Sequence, residues 1–444
     1  MLKKSVAAML SIMMVFSLTA CGGKTKKDSA SSAKAEGEVE IPIILTTGAN
    51  DSQDIQMKEP VEAFNEEYKG KYRIEVEYLA GSADDYRSKL KMLNTSNTLP
   101  AFIQVGTEPA FYDLLAENGR LVDVKPYLEK DSEWKESLMP EAIENYTRDD
   151  GKMYMVPNSG IPMTGIYYNK ELFEKAGIKE FPATWDAFWE VCDKLKAAGI
   201  PALSLHTTET AWCPMLLATS YLGSTEEGQN FMKEQFPSDF NTAEFKKAMD
   251  ILVKEFEYTT SDAVGGTYAM AANHFFSGNT AMLPNGPWMM SSLTDEEYAQ
   301  EGFAEKVGYA PYPGDVMVGS MEQNCWCITT DCGDEVIEGS IEFMKFYSRE
   351  KYAQKRAVEA GEMSSVVTFS KEEYEKAIPA MKDYVDIAGT ENIVLPSYQT
   401  KWDPTIQGEV FGREIPNLVN GNITVDEFVQ MLNEGAAQYK EDIQ

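Results

Sequence analysis

The hydrophobic and polar positions of the first 110 residues repeat with strand-like and helix-like periods. Residues 41–47 form an apolar run and residues 72–78 alternate apolar with charged side chains, so both segments predict β-strands. Between them, residues 61–68 carry apolar side chains at helical spacing. Residues 88–93 predict a further helix and residues 101–105 a short strand. This strand–helix–strand–helix order predicts an α/β layer with a mostly parallel sheet.

The rest of the chain continues mainly with helical patterns. Asp150 and Gly151 predict the turn of a hairpin over residues 149–157. The stretch TWDAFWEVCDKLKAAGIP predicts an amphipathic helix that Thr184 caps and that Gly199 and Pro201 end. Similar helices are predicted over residues 242–256, 335–348 and 424–439, and no internal repeat is visible.

The N-terminus has the pattern of an exported, lipid-anchored chain. Lys3 and Lys4 precede a mostly apolar stretch, residues 5–20, which is shorter than the roughly 20 residues that span a bilayer and is typical of a secretory signal. The sequence Leu-Thr-Ala-Cys that ends at Cys21 resembles the lipobox of bacterial lipoproteins, which implies cleavage before Cys21 and acylation of that cysteine. Two acyl chains are enough for stable membrane anchoring.

The segment after Cys21 contains no large apolar side chain up to Glu38, so it predicts a flexible tether. We expect residues 1–20 to be the signal peptide and residues 21–40 the lipidated tether. No later segment has about 18 uninterrupted apolar residues. The expected location is the outer face of the cell membrane, in a one-membrane, Gram-positive envelope.

Composition and cysteine number exclude several classes of protein. The folded part is long enough for two domains. The formal net charge of −31 argues against nucleic-acid binding.

Besides Cys21 there are five cysteines, an odd number that does not suit a disulfide framework. Cys325 and Cys327 are either a metal or redox pair or small core residues. No partner cysteine or histidine lies at zinc-like spacing, which favours the interpretation as core residues. We therefore expect no metal or cofactor. The state of Cys332 stays open.

Enzyme signatures are also missing from the sequence. The two histidines, His206 and His274, belong to no H-E-x-x-H motif, and there is no G-x-S-x-G motif or phosphate-binding glycine loop. A glycosidase needs two carboxylates beside one bond, but 71 acidic residues make any such pair uninformative. We therefore expect a protein that is not an enzyme, with a surface glycosidase as the enzymatic alternative.

Three segments carry a family resemblance. Residues 150–195 contain a G-K-x-Y-x-V-P strand, then Y-Y-N-K-x-L-F-x-K-A-G-I, then P-x-T-W-x-x-F. Residues 275–288 read FFSGNTAMLPNGPW and residues 307–314 read VGYAPYPG. From about residue 41 onwards the chain resembles the carbohydrate group of extracellular solute-binding proteins of ATP-binding-cassette (ABC) importers, the group of maltose-binding protein.

The resemblance implies a two-lobed, periplasmic-binding-protein-like α/β fold of type II. The ligand would lie in a cleft between lobes that are joined by hinge crossovers near Gly160 and Ser364. One lobe would comprise residues 41–160 plus 319–365, and the other residues 161–318 plus 366–444.

The same resemblance implies a receptor that captures a mono- or oligosaccharide by hinge closure and delivers it to a membrane permease, as a monomer. Two alternatives stay open. In the first, the ligand is a peptide, polyamine or polyol phosphate instead of a sugar. In the second, the protein is a sensory receptor with the same fold.

A sugar site needs flat aromatic rings for the apolar face of the sugar and fixed polar groups for its hydroxyls. The resemblance points to Trp288 as a stacking ring and to Trp402 and Trp212 as further cleft residues, each of which has core packing as the alternative. The polar candidates are Glu209 and Thr210 before Trp212, Asn50 and Asp51 after the first strand, and Gln104, Gly106, Thr107 and Glu108 after the third. For Asn50, Asp51 and Glu108, loop capping is the alternative.

Other aromatic residues are expected to be structural. Trp185 and Trp189 lie on the predicted amphipathic helix, and Tyr167, Tyr168 and Asn169 lie on a predicted strand near the crossover.

The sequence departs from the family pattern at two points. Pro100 is followed by Ala101, where the family usually has aspartate, and residues 160–165 contain no carboxylate before the Tyr-Asn-Lys motif. The identity of the sugar therefore does not carry over from the family.

Overall fold

A computed structural model of the chain describes residues 37–47, 52–80, 83–156, 161–320, 325–360, 369–388, 390, 392–403 and 405–442. The predicted signal peptide, Cys21, Asn50, Asp51 and the predicted crossovers at Gly160 and Ser364 lie outside the described residues. The end of the predicted tether is a correction, because Val39 and Glu40 already belong to the first strand.

Strands and helices alternate along the described part of the chain. The strands are β1 (Val39–Thr47), β2 (Tyr72–Ala80), β3 (Phe102–Gln104), β4 (Met155–Val156), β5 (Gly165–Asn169), β6 (Met282–Asn285), β7 (Val307–Ala310), β8 (Val316–Val318), β9 (Trp326–Ile328) and β10 (Ile393–Leu395). The helices are α1 (Ser52–Glu67), α2 (Ala83–Ser96), α3 (Pro109–Glu117), α4 (Lys125–Lys130), α5 (Ser132–Glu136), α6 (Pro140–Tyr146), α7 (Lys170–Lys175), α8 (Trp185–Ala197), α9 (Trp212–Leu222), α10 (Glu226–Lys233), α11 (Ala243–Glu255), α12 (Tyr268–Phe276), α13 (Asp334–Tyr347), α14 (Glu350–Ala360), α15 (Lys371–Lys376), α16 (Pro379–Ala388), α17 (Tyr398–Lys401), α18 (Arg413–Val419) and α19 (Val425–Asp442). A π-helix covers Ile406–Gly412, and short 3-10 turns cover Glu209–Ala211, Pro287–Met289, Ser291–Leu293 and Ala304–Lys306.

Strands β1 to β4 and β9 form a two-stranded and a three-stranded sheet that lie side by side. Strand β1 pairs in parallel with β2, and the Ala101 amide donates to the Pro42 carbonyl at 2.7 Å, which brings β3 beside β1. Strand β9 lies between β3 and β4 and is antiparallel to both. The predicted parallel arrangement therefore holds for β1 and β2, and β3 and β4 also share one direction. The antiparallel strand is β9, which enters from a distant part of the chain and which the sequence did not predict.

A further three-stranded sheet has β5 at its centre, and β8 and β10 form a separate parallel pair. Strand β5 is antiparallel to both β6 and β7, and its residues Ile166 and Tyr167 are fully buried. Asn169, the last residue of β5, caps helix α7 with its side chain. Tyr167 and Asn169 thus occupy structural positions, as the sequence indicated.

The predicted helices are present with shifted ends. Thr184 caps α8 through its hydroxyl, which accepts the Ala187 amide at 3.4 Å, and Thr242 caps α11 in the same way. Within the described ranges, no helix is both long enough and apolar enough to cross a bilayer.

The buried apolar side chains form separate cores. One core draws only on residues 41–156 and 325–352 and is centred on the stacked and edge-on rings of Phe64, Phe102 and Phe343. The two other large cores draw on residues from 166 to 318 and from 380 to 436. The exact lobe boundaries given by the sequence stay a prediction.

Candidate ligand-binding site

Trp288 lies in the 3-10 turn that follows strand β6. The side-chain amide of the fully buried Asn285 donates to the Tyr268 hydroxyl at 2.7 Å, and its Oδ1 accepts the Gly286 amide at 2.7 Å. The Tyr167 hydroxyl donates to the Gly286 carbonyl at 2.8 Å. Buried polar groups of the sheet therefore hold the loop that carries Trp288.

The indole of Trp288 covers Gly286. A Cβ atom on Gly286 would lie 2.2 Å from Cζ3 and 2.3 Å from Cη2 of Trp288. Non-bonded carbon atoms stay about 3.5 Å apart, so the ring position requires a residue without a side chain. The φ of −102° and ψ of 174° at Gly286 are open to any residue, so this requirement is steric.

Trp288 adjoins two other half-buried aromatic residues. The ring centroids of Trp212 and Trp288 are 6.2 Å apart, and those of Trp212 and Tyr268 are 4.7 Å apart. We refer to Trp212, Tyr268 and Trp288 as the aromatic patch. Flat rings that keep part of their surface exposed suit the apolar face of a sugar. The structure thus brings together two of the three predicted tryptophans and adds Tyr268.

A strained turn leads into the aromatic patch. Glu209, Thr210 and Ala211 have φ values of 55°, 58° and 50°, and we call this segment the left-handed turn. A left-handed conformation costs a non-glycine residue about 1 kcal/mol or more. The Ala211 amide closes the turn on the Thr208 carbonyl at 3.0 Å, and Trp212 follows as the first residue of α9. The turn therefore sets the direction in which the Trp212 ring leaves the backbone.

Several groups hold the left-handed turn. The Glu209 carboxylate accepts the amide of Tyr268 at 3.2 Å, and the Tyr398 hydroxyl donates to the Thr210 carbonyl at 2.9 Å. On another side lies the π-helix, where a Cβ on Gly412 would be 3.3 Å from the Cα of Thr210. Strained segments persist when their surroundings determine them in this way, and they are concentrated at functional sites.

His206 lies beneath the aromatic patch. Its ring centroid is 5.8 Å from that of Trp212 and 6.0 Å from that of Tyr268, and the side chain is fully buried. Nδ1 lies 2.9 Å from the Thr208 carbonyl, which can only accept, so the proton is on Nδ1. Burial lowers the pKa of His206 to about 4, so the ring is neutral at pH 7. Neither the motifs nor the spacing singled out this residue.

The candidates after the third strand belong to an ion-pair cluster. Arg87 Nε lies 3.2 Å and Lys91 Nζ 2.9 Å from the buried carboxylate of Glu108, and Arg87 donates to the Thr107 hydroxyl at 3.4 Å. The backbone N–H of Gln104 donates to the Tyr86 hydroxyl at 3.2 Å. Glu108 therefore faces two cations, which the sequence did not indicate.

The position of Trp402 requires a correction. The residue is 1% exposed, and its ring is surrounded by four others, at centroid distances of 5.0 Å (Phe240), 5.8 Å (Phe245), 5.2 Å (Tyr398) and 5.5 Å (Phe411). No ring face is left for a sugar, so the prediction that Trp402 lines a cleft does not agree with the structure. Tyr398 of the same segment contacts the left-handed turn instead. The sequence indicated Trp402 in this segment and did not indicate Tyr398.

Four of the five cysteines in the described part of the chain are buried. Cys325 and Cys327 flank Trp326 and are buried, and the Cys325 thiol donates to the Tyr146 hydroxyl at 3.0 Å. Burial raises the pKa of the Cys327 thiol. Cys332 is a half-buried free thiol. Across the described residues, no group of three or more His, Cys, Asp and Glu side chains is arranged to hold a metal ion.

Comparison with known proteins gives a consistent picture of the family. The sequence model described as "Bacterial extracellular solute-binding protein" matches residues 59–411. The sn-glycerol-3-phosphate-binding periplasmic protein UgpB of Brucella melitensis is 26% identical over 333 residues, which is 71% of this chain and 72% of the relative. The diacetylchitobiose binding protein DasA of Streptomyces coelicolor is 28% identical over 192 residues, which is 43% of this chain and 42% of the relative.

Solved structures share the fold of the chain. A chitin oligosaccharide binding protein superposes with a TM-score of 0.76 at 18% identity, over 91% of this chain and all of that one. A maltose-bound MalE3 of T. maritima superposes with a TM-score of 0.69 at 19% identity, over 90% of this chain and 100% of the other.

Proposed function

The chain belongs to the bacterial extracellular solute-binding proteins, with their two-lobed periplasmic-binding-protein-like fold, and from this premise we propose that it captures a mono- or oligosaccharide for an ABC importer. The ligand enters the cleft between the lobes, the lobes close about the hinge, and the closed complex delivers the sugar to a membrane permease. Closure is favoured because a bound ligand contacts both lobes.

The observation that carries this proposal is the aromatic patch. Trp212, Tyr268 and Trp288 are half-buried, adjoin one another, and are held by a buried asparagine and a strained turn. Fixed aromatic rings bind apolar sugar faces with little loss of side-chain entropy. Structural relatives whose names refer to chitin oligosaccharide and maltose support a sugar as the ligand class. The ligand is bound and released unchanged, so no catalytic residue is assigned.

A phosphorylated polyol is the second candidate, because several relatives are named for sn-glycerol 3-phosphate. A phosphate group requires cations that are not already neutralised. Arg87 and Lys91 are the cations beside the residues predicted after β3, and both are paired with Glu108. Binding a phosphate there would place it close to the Glu108 carboxylate. These charges favour a neutral sugar.

The remaining parts of the proposal concern location. Cys21 is lipidated after signal cleavage, the segment between Cys21 and β1 tethers the protein, and the receptor acts as a monomer on the outer face of the membrane. Labelling with a palmitate analogue tests the anchor. Wild-type protein should be labelled and partition with membranes, whereas Cys21→Ser should be unlabelled and released. Equal labelling of the two proteins would exclude this anchor.

A ligand screen tests the function. Protein lacking residues 1–21 is titrated calorimetrically with diacetylchitobiose, chitotriose, maltose, raffinose and sn-glycerol 3-phosphate. We expect micromolar or tighter binding of a neutral sugar, about −8 kcal/mol or better, and no hydrolysis products by chromatography. Binding of glycerol 3-phosphate alone would favour the second candidate, and sugar cleavage would overturn the assignment as a binding protein.

The site within that function is tested by Trp288→Ala. Loss of a central aromatic anchor should weaken binding by about 2 kcal/mol, or about 30-fold. The matched control is Trp185→Ala, another half-buried tryptophan, whose ring packs on Phe188 and Trp189 away from the aromatic patch. Equal affinities of the two variants would remove Trp288 from the site.

A further inference from the structure

Two irregular backbone features meet at one point of the fold. The left-handed turn contains three successive non-glycine residues with positive φ, and the π-helix Ile406–Gly412 lies against it at Gly412. π-Helical segments are rare and often occur at functional sites. Tyr398 contacts both features, since its hydroxyl bonds to Thr210 and its ring lies 5.7 Å from that of Phe411 in the π-helix.

We propose that Tyr398 is a positioning residue that holds the left-handed turn in its strained conformation and thereby directs Trp212 into the aromatic patch. The expected effect of Tyr398 on ligand binding rests on the proposed function. Its expected effect on the conformation of the turn does not.

The contacts of the Tyr398 hydroxyl suit this role. The side chain is fully buried, its hydroxyl donates to the Thr210 carbonyl at 2.9 Å, and the same oxygen lies 3.0 Å from Thr210 Oγ1. Rotating the Thr210 peptide towards a relaxed conformation would separate its half-buried carbonyl from the hydroxyl of the fully buried Tyr398. Loss of this hydrogen bond is unfavourable because the donor belongs to a fully buried side chain, so the hydroxyl opposes the relaxation.

The phenol ring is itself fixed from behind. Trp402 packs against it at a centroid distance of 5.2 Å, and the Ser397 hydroxyl caps the short helix α17 by accepting the backbone N–H of Gln399 at 3.3 Å. Trp402 therefore supports Tyr398. Tyr398 in turn holds the left-handed turn, and the turn orients Trp212. This sequence of contacts gives the buried Trp402 an indirect connection to the aromatic patch.

Hydrogen–deuterium exchange tests the turn without any ligand. Tyr398→Phe removes the hydroxyl and keeps the ring, and the amide of Ala211, which closes the turn, should exchange about fivefold faster or more, the factor that one neutral hydrogen bond represents. The matched control is Tyr258→Phe, another buried tyrosine, whose hydroxyl donates to Asp193 at 2.9 Å. The control should leave Ala211 exchange unchanged.

A second substitution separates strain relief from general loosening. Glycine adopts positive φ without steric cost, so a Thr210→Gly turn needs less support from Tyr398. The exchange increase caused by Tyr398→Phe should shrink at least twofold in the Thr210→Gly background. An increase of the same size in both backgrounds would show that Tyr398 does not oppose strain, and would overturn the inference.

Ligand titration then distinguishes the two proposals. For whichever sugar of the panel binds wild-type protein, Tyr398→Phe should weaken binding about fivefold or more, while its Tm changes no more than that of Tyr258→Phe. If no panel compound binds wild-type protein but exchange accelerates as expected, the proposed sugar function fails and the positioning role stands. If a sugar binds and Tyr398→Phe matches Tyr258→Phe in both exchange and affinity, the positioning role fails and the function stands.

Discussion

The substitution Gly286→Ala moves the Trp288 ring without removing it. The new Cβ would lie 2.2 Å from Cζ3 and 2.5 Å from Cε3 of the indole. Because non-bonded carbons need about 3.5 Å, the ring must move by about 1 Å or more. Trp288 is half-buried, so the indole has room to turn towards solvent.

The expected effects on stability and on binding differ. The backbone at Gly286 accepts alanine without strain, and the displaced ring is not part of a fully buried core, so the free energy of unfolding should change by less than about 1 kcal/mol. Stacking depends on ring position, so a large part of the roughly 2 kcal/mol expected for Trp288→Ala should be lost, which corresponds to about tenfold weaker sugar binding.

Calorimetry on the sugar identified in the screen, combined with a double-mutant cycle, measures this effect. Both substitutions act through one ring, so Gly286→Ala should change nothing further in the Trp288→Ala background. The control is Gly408→Ala, because a Cβ at Gly408 would meet no atom within 4 Å. If Gly286→Ala lowered affinity equally in the wild-type and Trp288→Ala backgrounds, this result would refute the steric reasoning. Wild-type affinity of the Gly286→Ala variant would refute it as well.

Three further predictions concern buried residues, each measured by urea unfolding. Trp402→Ala should lower the free energy of unfolding by about 3–5 kcal/mol because the ring lies in the core, and a loss below about 1 kcal/mol would contradict that position. The pKa of His206 is lowered to about 4, so acidification from pH 6.5 to 4 should progressively remove up to about 3 kcal/mol of stability, and His206→Gln should show a smaller loss over that range. The buried Glu255 carboxyl has no hydrogen-bond partner among the described residues, and burial raises its pKa, so its contribution to stability falls as the pH rises above 4.5. Glu255→Gln should therefore stabilise the protein more at pH 7.5 than at pH 5, and the reverse order would contradict the burial.

The sequence was sufficient for those features that depend on neighbours along the chain. Apolar periodicity predicted β1, β2 and α8, and threonine capping located the start of α8. The ordered motifs between residues 150 and 314 indicated the solute-binding family, and Trp288 and Trp212 were selected from segments that the structure brings together. Local spacing and motif order are properties of the linear sequence, so these features could be predicted from the sequence alone.

Tertiary contacts decided the features that depend on distant segments. The antiparallel entry of β9 was not predictable, because the residues that pair with it are more than 150 positions away. The sequence could not distinguish a cleft tryptophan from a core tryptophan at Trp402, since burial is set by Phe240, Phe245 and Phe411 folding over it. Likewise, glycine is the residue usually associated with positive φ, and nothing in Glu-Thr-Ala announces a left-handed turn.

By itself the sequence determined several of the local elements, because helix and strand periodicity follow from short-range backbone geometry, and its ordered motifs indicated the family. What only the tertiary structure decided was which aromatic rings stay accessible and how the left-handed turn is held. Accessibility and strain depend on the sum of contacts from segments far apart in the chain. Thr210, for example, is held in place by a tyrosine 188 positions away.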